Sequence, residues 1–373
     1  MTDPTPPPPS DVSSYTVIGV MSGTSLDGLD MAGCEFSSEG KGWNFRFIKG
    51  QTIPFPDFLQ TRMAGLHDVK GKNLIKFHRD FGEFIGEYVK SFCEENSLKP
   101  DLVASHGHTV LHNPGEGYTF QAGHGDAIYE ICRTPVVCDF RTADILKGGQ
   151  GAPLVPGAEA YLFNNYDFCL NLGGIANLTK LKENLPIAFD VGPCNIILNK
   201  IASLKGETCD QDGKISSRGE VLQDLLRKLT QHPYYEEPFP KSLDKQEVLN
   251  RWWPYFEARN LLPEDMGATF CYHLKELLER TIQASVDEET PSVLVTGGGV
   301  KHPLIRNYLE NSEVANFVFP EDEQLIDYKE AIAFGFLGLL RSLGEPNVFS
   351  TVTGAYEDHS AGVLHGDFGR PLR

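Results

Sequence analysis

The chain has 373 residues, 40% of them hydrophobic, and 51 acidic against 33 basic residues leave a formal net charge of −18. Such a balance argues against nucleic acid or anionic membrane as partners, because no Lys/Arg cluster is long enough to follow a phosphate backbone. The length suffices for two cores, so two domains are expected.

Residues 1–14 carry Asp3, Asp11 and four consecutive prolines, with no apolar core of a signal peptide. They read as a disordered polyproline tail. Thr16-Val17-Ile18 is β-branched and predicts a strand, followed by Gly19-Val20-Met21-Ser22-Gly23-Thr24-Ser25-Leu26-Asp27-Gly28-Leu29-Asp30. Between Ser22 and Leu29 this segment exposes backbone N–H groups with few Cβ atoms in the way. That suits a phosphate chain, and it equally suits a surface hairpin turn.

Strand and helix signals then alternate, which argues α/β. Residues 73–95 put Leu74, Phe77, Phe81, Phe84, Ile85, Tyr88 and Phe92 on one helical face. Leu102-Val103-Ala104 reads as a buried strand, with Ser105-His106-Gly107-His108-Thr109 after it. The two His and the Thr are candidates for sugar hydroxyls or a metal, or for satisfied structural groups. In Phe140-Arg141-Thr142-Ala143-Asp144 the Arg could clamp an anion or pair with a carboxylate.

Phe168 to Leu172 predicts a further strand, turning at Gly173-Gly174 into Ile175-Ala176-Asn177-Leu178. This repeats the device near Gly23 about 150 residues on, as expected of the first hairpins of two similar lobes. Ile187-Ala188-Phe189 reads as a strand ending at Asp190. A carboxylate there suits a general base, fixed and partly desolvated, or a cap for the next helix. A helix opens at Pro263-Glu264-Asp265, and Val293 to Thr296 is a short apolar strand ending in Gly297-Gly298-Gly299. Another helix covers Glu330 to Arg341; its apolar run, Ala331 to Leu340, is too short to span a bilayer. The eight cysteines form no C-x-x-C pair and fit buried free thiols in a reducing, cytoplasmic compartment.

Taken together, these motifs resemble the anhydro-N-acetylmuramic acid kinase family from about Tyr15 to about Gly362. The resemblance is carried by the Gly19–Asp30 segment, Ser105-His106-Gly107, Val136 to Arg141, Gly148-Gly149-Gln150-Gly151-Ala152-Pro153-Leu154-Val155-Pro156, Asn171 to Asn177, Phe189-Asp190, Gly297 to Gly299, Glu330-Ala331 and Val352-Thr353-Gly354-Ala355. It implies two ribonuclease-H-like lobes of the actin and sugar-kinase type with ATP in the interlobe cleft. The expected bounds are 15–140 plus 331–373 for lobe I and 141–330 for lobe II. It also implies a reaction in which water opens 1,6-anhydro-N-acetylmuramic acid and O6 takes the γ-phosphoryl group of ATP with Mg²⁺, in cell-wall fragment recycling. A homodimer is implied by the family alone.

By the same resemblance Asp190 is the catalytic base. Gly23, Thr24, Ser25, Leu26, Asp27, Gly28, Leu29 and Asp30 form the first phosphate loop, and Gly173, Gly174 and Asn177 the second. Gly297, Gly298 and Gly299 form the adenosine loop, Glu330 is a nucleotide-site glutamate, and His106, Thr109 and Arg141 contact the sugar. Met21 stands where many kinases of this fold carry an Asp, so Asp27 is expected to serve Mg²⁺, through water. The sequence departs from the family pattern at His108, His124, Val191, Cys194 and His302. These departures keep open a kinase for a related anhydro- or amino sugar; a non-catalytic ATP-binding switch is the reading from a different class.

Overall fold

The protein, a computed structural model, is described over residues 13–23, 26, 28–39, 42–181, 185–238, 241–257, 260–286 and 290–368. Strands follow in chain order as β1 (Ser13–Ser22), β2 (Gly28–Glu39), β3 (Gly42–Pro54), β4 (Leu102–Asn113), β5 (Tyr118–Ala122), β6 (Val136–Cys138), β7 (Phe168–Leu172), β8 (Ile175–Lys180), β9 (Ile187–Pro193), β10 (Ser292–Thr296), β11 (Asn316–Val318) and β12 (Val363–His365). Residues 1–12 of the expected tail lie outside the described set. Ser13 and Ser14 belong to β1 instead, where the Ser14 hydroxyl donates to Glu35 Oε1 at 2.7 Å.

Two compact units divide the chain, Met1–Leu162 with Glu330–Arg373 and Phe163–Lys329. The first crossing therefore falls after Leu162 and not after Phe140. Segment 141–162 is bonded into the first unit: Arg141 Nε donates to His106 Nε2 (3.0 Å), and Thr353 Oγ1 donates to Asp144 (2.6 Å). A Cβ on Gly157, in helix Val155–Leu162, would stand 2.5 Å from the Asn347 carbonyl oxygen, so this helix too lies hard against the rest of the first unit.

The first sheet runs β3–β2–β1–β4–β6–β12 with β5 on β4, and the second runs β9–β8–β7–β10–β11. In both, three strands form an antiparallel meander and two more join in parallel beside the first. Each unit is thus a ribonuclease-H-like sheet, and the chain has the α/β, actin-like architecture. The parallel joins need crossovers, which the helices supply. Central strands are apolar on both faces, as Val17, Ile18 and Val20 show, all fully buried.

Helix Gly71–Glu95 starts two residues before the expected position and buries Phe77, Phe81, Ile85, Val89 and Phe92. A Cβ on its Gly82 would meet the His124 carbonyl oxygen at 2.6 Å, so glycine there lets helix Gly125–Cys132 approach. Helix Glu323–Leu343 begins seven residues before the expected Glu330, and Ala331–Leu340 is buried throughout. Its small residues form a seam: Ala331 and Gly335 pack on Gly19 of β1, and Gly338 on Ala104 of β4. In the second unit Phe168, Leu170, Leu172, Leu178 and Phe189 meet Ile197, Ile201, Phe270 and Leu274 in one core. Among the described residues no helix is long and apolar enough to cross a membrane.

Candidate functional site

The hairpin turn Gly173-Gly174 joins β7 to β8, at the same topological place as the Gly23 loop between β1 and β2. Its carbonyls receive the start of helix Asn195–Ser203: Cys194 and Ile196 N–H donate to Gly174 O (3.0 and 3.1 Å), and Asn195 N–H to Gly173 O (3.1 Å). Polar side chains line up beside it. Thr296, Asn171, Asn177 and Asp190 are successive register partners across β10, β7, β8 and β9, and so share one face of the sheet.

β9 does not stop at Asp190 but continues to Pro193. Its register against β8 jumps there, Asn177 pairing Asp190 and Ala176 pairing Gly192, which leaves Val191 as the extra residue of a β-bulge. Bulges re-aim neighbouring side chains and recur beside active sites. The carboxylate does not cap the following helix. Asp190 Oδ2 accepts from Leu243 N–H (2.8 Å), its N–H donates to Lys241 O (3.0 Å), and its carbonyl accepts from the Tyr234 hydroxyl (2.8 Å). Burial lifts the Asp190 carboxyl to about 6, against the pull of the Leu243 N–H. Tyr234, Lys241 and Leu243 are site residues that sequence reasoning missed. They lie some 50 residues downstream with no motif of their own.

Gly297 has φ +87°, and a Cβ on it would lie 2.6 Å from Asn171 Oδ1 and 2.8 Å from Leu172 backbone atoms; one on Gly299 would lie 2.8 Å from Leu172 Cβ. Those two glycines are required by packing onto β7. Gly298 is different: it is exposed, and a Cβ there meets only Asn195 Nδ2, at 4.0 Å. We therefore expect Gly298→Ala to leave thermal unfolding unchanged and to raise KM for ATP about tenfold if a nucleotide lies against that backbone. An unchanged KM would remove the loop from the nucleotide site. Behind the loop, His302 Nε2 lies 3.1 Å from Asp210 Oδ2, which also accepts from Ser216 N–H (2.9 Å) and Oγ (2.6 Å). Burial alone would raise the Asp210 carboxyl, but the hydrogen bonds from His302, Ser216 and Ile215 outweigh it and hold it well below the usual carboxylate range. Lys329, also buried, donates to Thr296 Oγ1 at 2.9 Å.

In the first unit, Thr24, Ser25 and Asp27 lie outside the described residues. Gly23 and Leu26 close a turn, Leu26 N–H to Gly23 O at 3.4 Å, with Leu26 at φ +62°. Gly28, Leu29 and Asp30 belong to β2; Leu29 is fully buried, and Asp30 accepts from the Thr52 hydroxyl (2.6 Å). Ser105 to Thr109 lies within β4 and does not follow it, because β4 runs on as a hairpin with β5. His106 Nε2 accepts from Arg141, so its Nδ1–H donates to Gly107 O (2.9 Å), and neither ring nitrogen is left for a ligand. Burial, then the Arg141 charge, keep it neutral, its pKa well below the ordinary value.

Arg141 Nη1 donates to Gly151 O (2.6 Å), and Nη2 has no acceptor among the described residues. Burial lowers the guanidinium to about 10, with the Glu330 and Asp144 charges opposing. The structure thus brings Arg141, His106 and the charge of Glu330 together. Asp144 is fully buried and accepts from Gly151 N–H and Thr353 Oγ1 (2.6 Å each), so the Gly148–Pro156 and Val352–Ala355 motifs meet in the frame that holds Arg141. Thr109 is half-buried in β4. Val191 and Cys194, the departures beside Asp190, are 2% and 0% exposed and pack into the core.

The profile of the family described as Anhydro-N-acetylmuramic acid kinase matches residues 15–366. The chain belongs to this family. Among curated proteins named anhydro-N-acetylmuramic acid kinase, that of Azorhizobium caulinodans is 35% identical over 367 residues, covering 93% of this chain and 98% of its own. That of Pseudomonas savastanoi pv. phaseolicola is 34% identical over 373 residues (94% and 99%), and one from Vibrio vulnificus 32% over 366 residues (93% and 97%). Two solved structures are more distant relatives in sequence. The (R)-2-hydroxyglutaryl-CoA dehydratase component A of Acidaminococcus fermentans has 9% identity and a TM-score of 0.42, covering 87% of this chain and 97% of that one. The 2-hydroxyisocaproyl-CoA dehydratase activator of Clostridium difficile, with bound ADPNP, has 10% identity and a TM-score of 0.38, covering 87% and 94%.

Proposed function

We infer that the protein is a kinase that hydrolytically opens 1,6-anhydro-N-acetylmuramic acid and phosphorylates O6 with ATP, giving N-acetylmuramic acid 6-phosphate in cell-wall recycling. Family membership supports the kinase class. The observation that carries the hydrolytic step is Asp190. Its Oδ2 is held by Leu243 N–H, its Oδ1 has no protein donor among the described residues, and its carboxyl sits near 6. That group is ionised at neutral pH and still basic enough to take a proton.

In this reading Asp190 Oδ1 takes a proton from water, whose oxygen bonds to the anomeric carbon as the C1–O6 bond breaks. The electron pair left on O6 attacks the γ-phosphorus, and the bond to ADP breaks. Water, sugar and ATP thus give the sugar phosphate, ADP and a proton. The chain's own part is positioning and charge. Gly23, Gly173 and Gly174 offer backbone at phosphate loops, Gly298 offers open backbone to the adenosine, and Asn177 stands beside Asp190. Arg141 Nη2, with Glu330 near it, is the donor for an anionic or hydroxyl group of the sugar, with Thr109 beyond it on β4. His106 acts by orienting Arg141.

Mg²⁺ would neutralise phosphate charge. Asp27, its assigned residue, lies outside the described residues, and among those described no group of three His, Cys, Asp or Glu converges on a metal. Free cysteines accord with a reducing cytoplasm, and a homodimer is the family's expectation.

The test is coupled ADP release with Mg-ATP and 1,6-anhydro-N-acetylmuramic acid, with mass analysis of the product. A product heavier by one water and one phosphoryl group is expected. ADP release that does not depend on the sugar would overturn the reading.

A further inference from the structure

β9 is the edge strand of its sheet, so its outer backbone groups meet no further strand. At Asp190 that edge is covered by two short segments of the same unit. One is the turn Pro233–Glu236, whose Tyr234 hydroxyl donates to the Asp190 carbonyl (2.8 Å). The other runs from Lys241 to Leu243. Its Lys241 carbonyl accepts from the Asp190 N–H (3.0 Å), and its Leu243 N–H donates to Asp190 Oδ2 (2.8 Å). Asp190 is therefore gripped at its N–H, its carbonyl and one carboxylate oxygen, each time from outside the sheet.

The far ends of the two segments are anchored in the core. Tyr234 is buried, and the Tyr235 hydroxyl accepts from Trp252 Nε1 (3.0 Å) and lies 2.8 Å from His273 Nε2. Asp244 caps helix Lys245–Trp252 in a reciprocal capping box with Glu247, and Trp252, at the other end of that helix, is fully buried. Near Asp190 a side chain joins the two segments. Lys241 Nζ donates to the Tyr234 carbonyl (2.9 Å) and the Tyr235 carbonyl (3.4 Å), and lies 4.5 Å from the centre of the Tyr234 ring. Burial lowers the pKa of this half-buried lysine, and the Glu237 and Glu236 charges oppose that. Hydrogen bonds from an ammonium group are charge-assisted and stronger than neutral ones.

We propose that Lys241 is a positioning residue for the Asp190 carboxylate. Its ammonium staples the segment carrying the Leu243 N–H to the turn carrying Tyr234, and so fixes which carboxylate oxygen is bonded. Oδ2 is held, and Oδ1 is the oxygen that meets water. Without the staple the carboxylate is free to rotate, and a base turned out of line loses the alignment that proton transfer requires. The role is more than that of a cover on an edge strand, because Tyr235, Trp252 and Asp244 anchor the cover without Lys241. This deepens the kinase reading and rests on Asp190 as its base.

Lys241→Met keeps the apolar stem and removes the donors; Lys241→Arg keeps a cation with donors. NMR reads the positioning without the reaction. An N–H bonded to a carboxylate shifts as that carboxylate ionises, so the Leu243 amide of wild type should titrate at a pH of about 6. In Lys241→Met the size of that titration should fall at least about twofold, and in Lys241→Arg it should persist. For sugar-dependent ADP release, kcat should fall about 10–100-fold in Lys241→Met with KM for ATP unchanged, and return to within about threefold of wild type in Lys241→Arg. Thermal unfolding shows whether each variant is folded, and Lys241→Gln replaces Lys241→Met if that one is not. A Leu243 titration of full size in Lys241→Met overturns the proposal, whether or not the rate falls, as does a wild type whose Leu243 amide does not titrate. A lost titration with an undiminished rate leaves the positioning standing and sinks Asp190 as the base instead.

Discussion

Asp190→Asn should abolish sugar-dependent ADP release, with kcat falling by about 10²–10⁴-fold while ATP binding stays intact. Asparagine keeps the volume and an acceptor for the Leu243 N–H but cannot take a proton. The wild-type rate should also fall as pH drops through about 6, because the carboxyl titrates there and only its ionised form is a base. Stability runs the other way. The folded pKa lies above the unfolded one, so the favourable contribution is complete below the ordinary carboxylate range and is lost as pH rises through about 6. Removing the charge should therefore make the variant more stable than wild type at pH 8, by roughly 3 kcal/mol. Steady-state kinetics, an ATP titration and chemical denaturation at pH 5 and pH 8 read all of this. A variant with wild-type turnover would be incompatible with Asp190 as the base.

Gly19→Ala should be the most damaging single methyl in the first unit. The added carbon would stand 1.8 Å from the Ala331 carbonyl oxygen and 2.7 Å from the Ala331 carbonyl carbon, with the Gly335 backbone nitrogen at 3.0 Å. All of these are backbone, in a helix buried throughout that stretch, so nothing flexible can yield. A loss of on the order of 4 kcal/mol is expected, enough to leave a marginally stable unit largely unfolded. Gly344→Ala, at a glycine with φ +76° and no atom within 4 Å of the added carbon, controls for backbone strain alone. Equal thermal shifts in the two variants would show that the seam on Gly19 is not close-packed.

Much of this was legible because it rests on local pattern. The apolar central strands, the helix with Phe77, Phe81 and Ile85 on one face, and the glycine turns after β1, β7 and β10 are all written in neighbouring residues. What escaped depends on partners distant in sequence. No periodicity marks Val191 as the extra residue of a bulge, since that is decided by the register of β8. Tyr234 and Leu243 reach Asp190 only once the fold has returned them to β9. Arg141 was legible as an anion clamp or a salt-bridge partner. That His106 and Gly151 would take two of its donors, and that Asp144 would bond Thr353, could not be read from the residues around it. Of the three glycines after β10, sequence treats all alike, whereas packing requires Gly297 and Gly299 and leaves Gly298 open.

The division of the chain also bears on the order in which it can be built during synthesis. Phe163–Lys329 is continuous and can complete its sheet as soon as it has emerged from the ribosome, but the first unit is assembled from segments on either side of it. β1 is made before the inserted unit, yet the helix that covers Gly19 arrives more than 300 residues later. Until then the first sheet waits with an apolar face uncovered, and the inserted unit, by folding first, shortens the loop that must be closed to cover it.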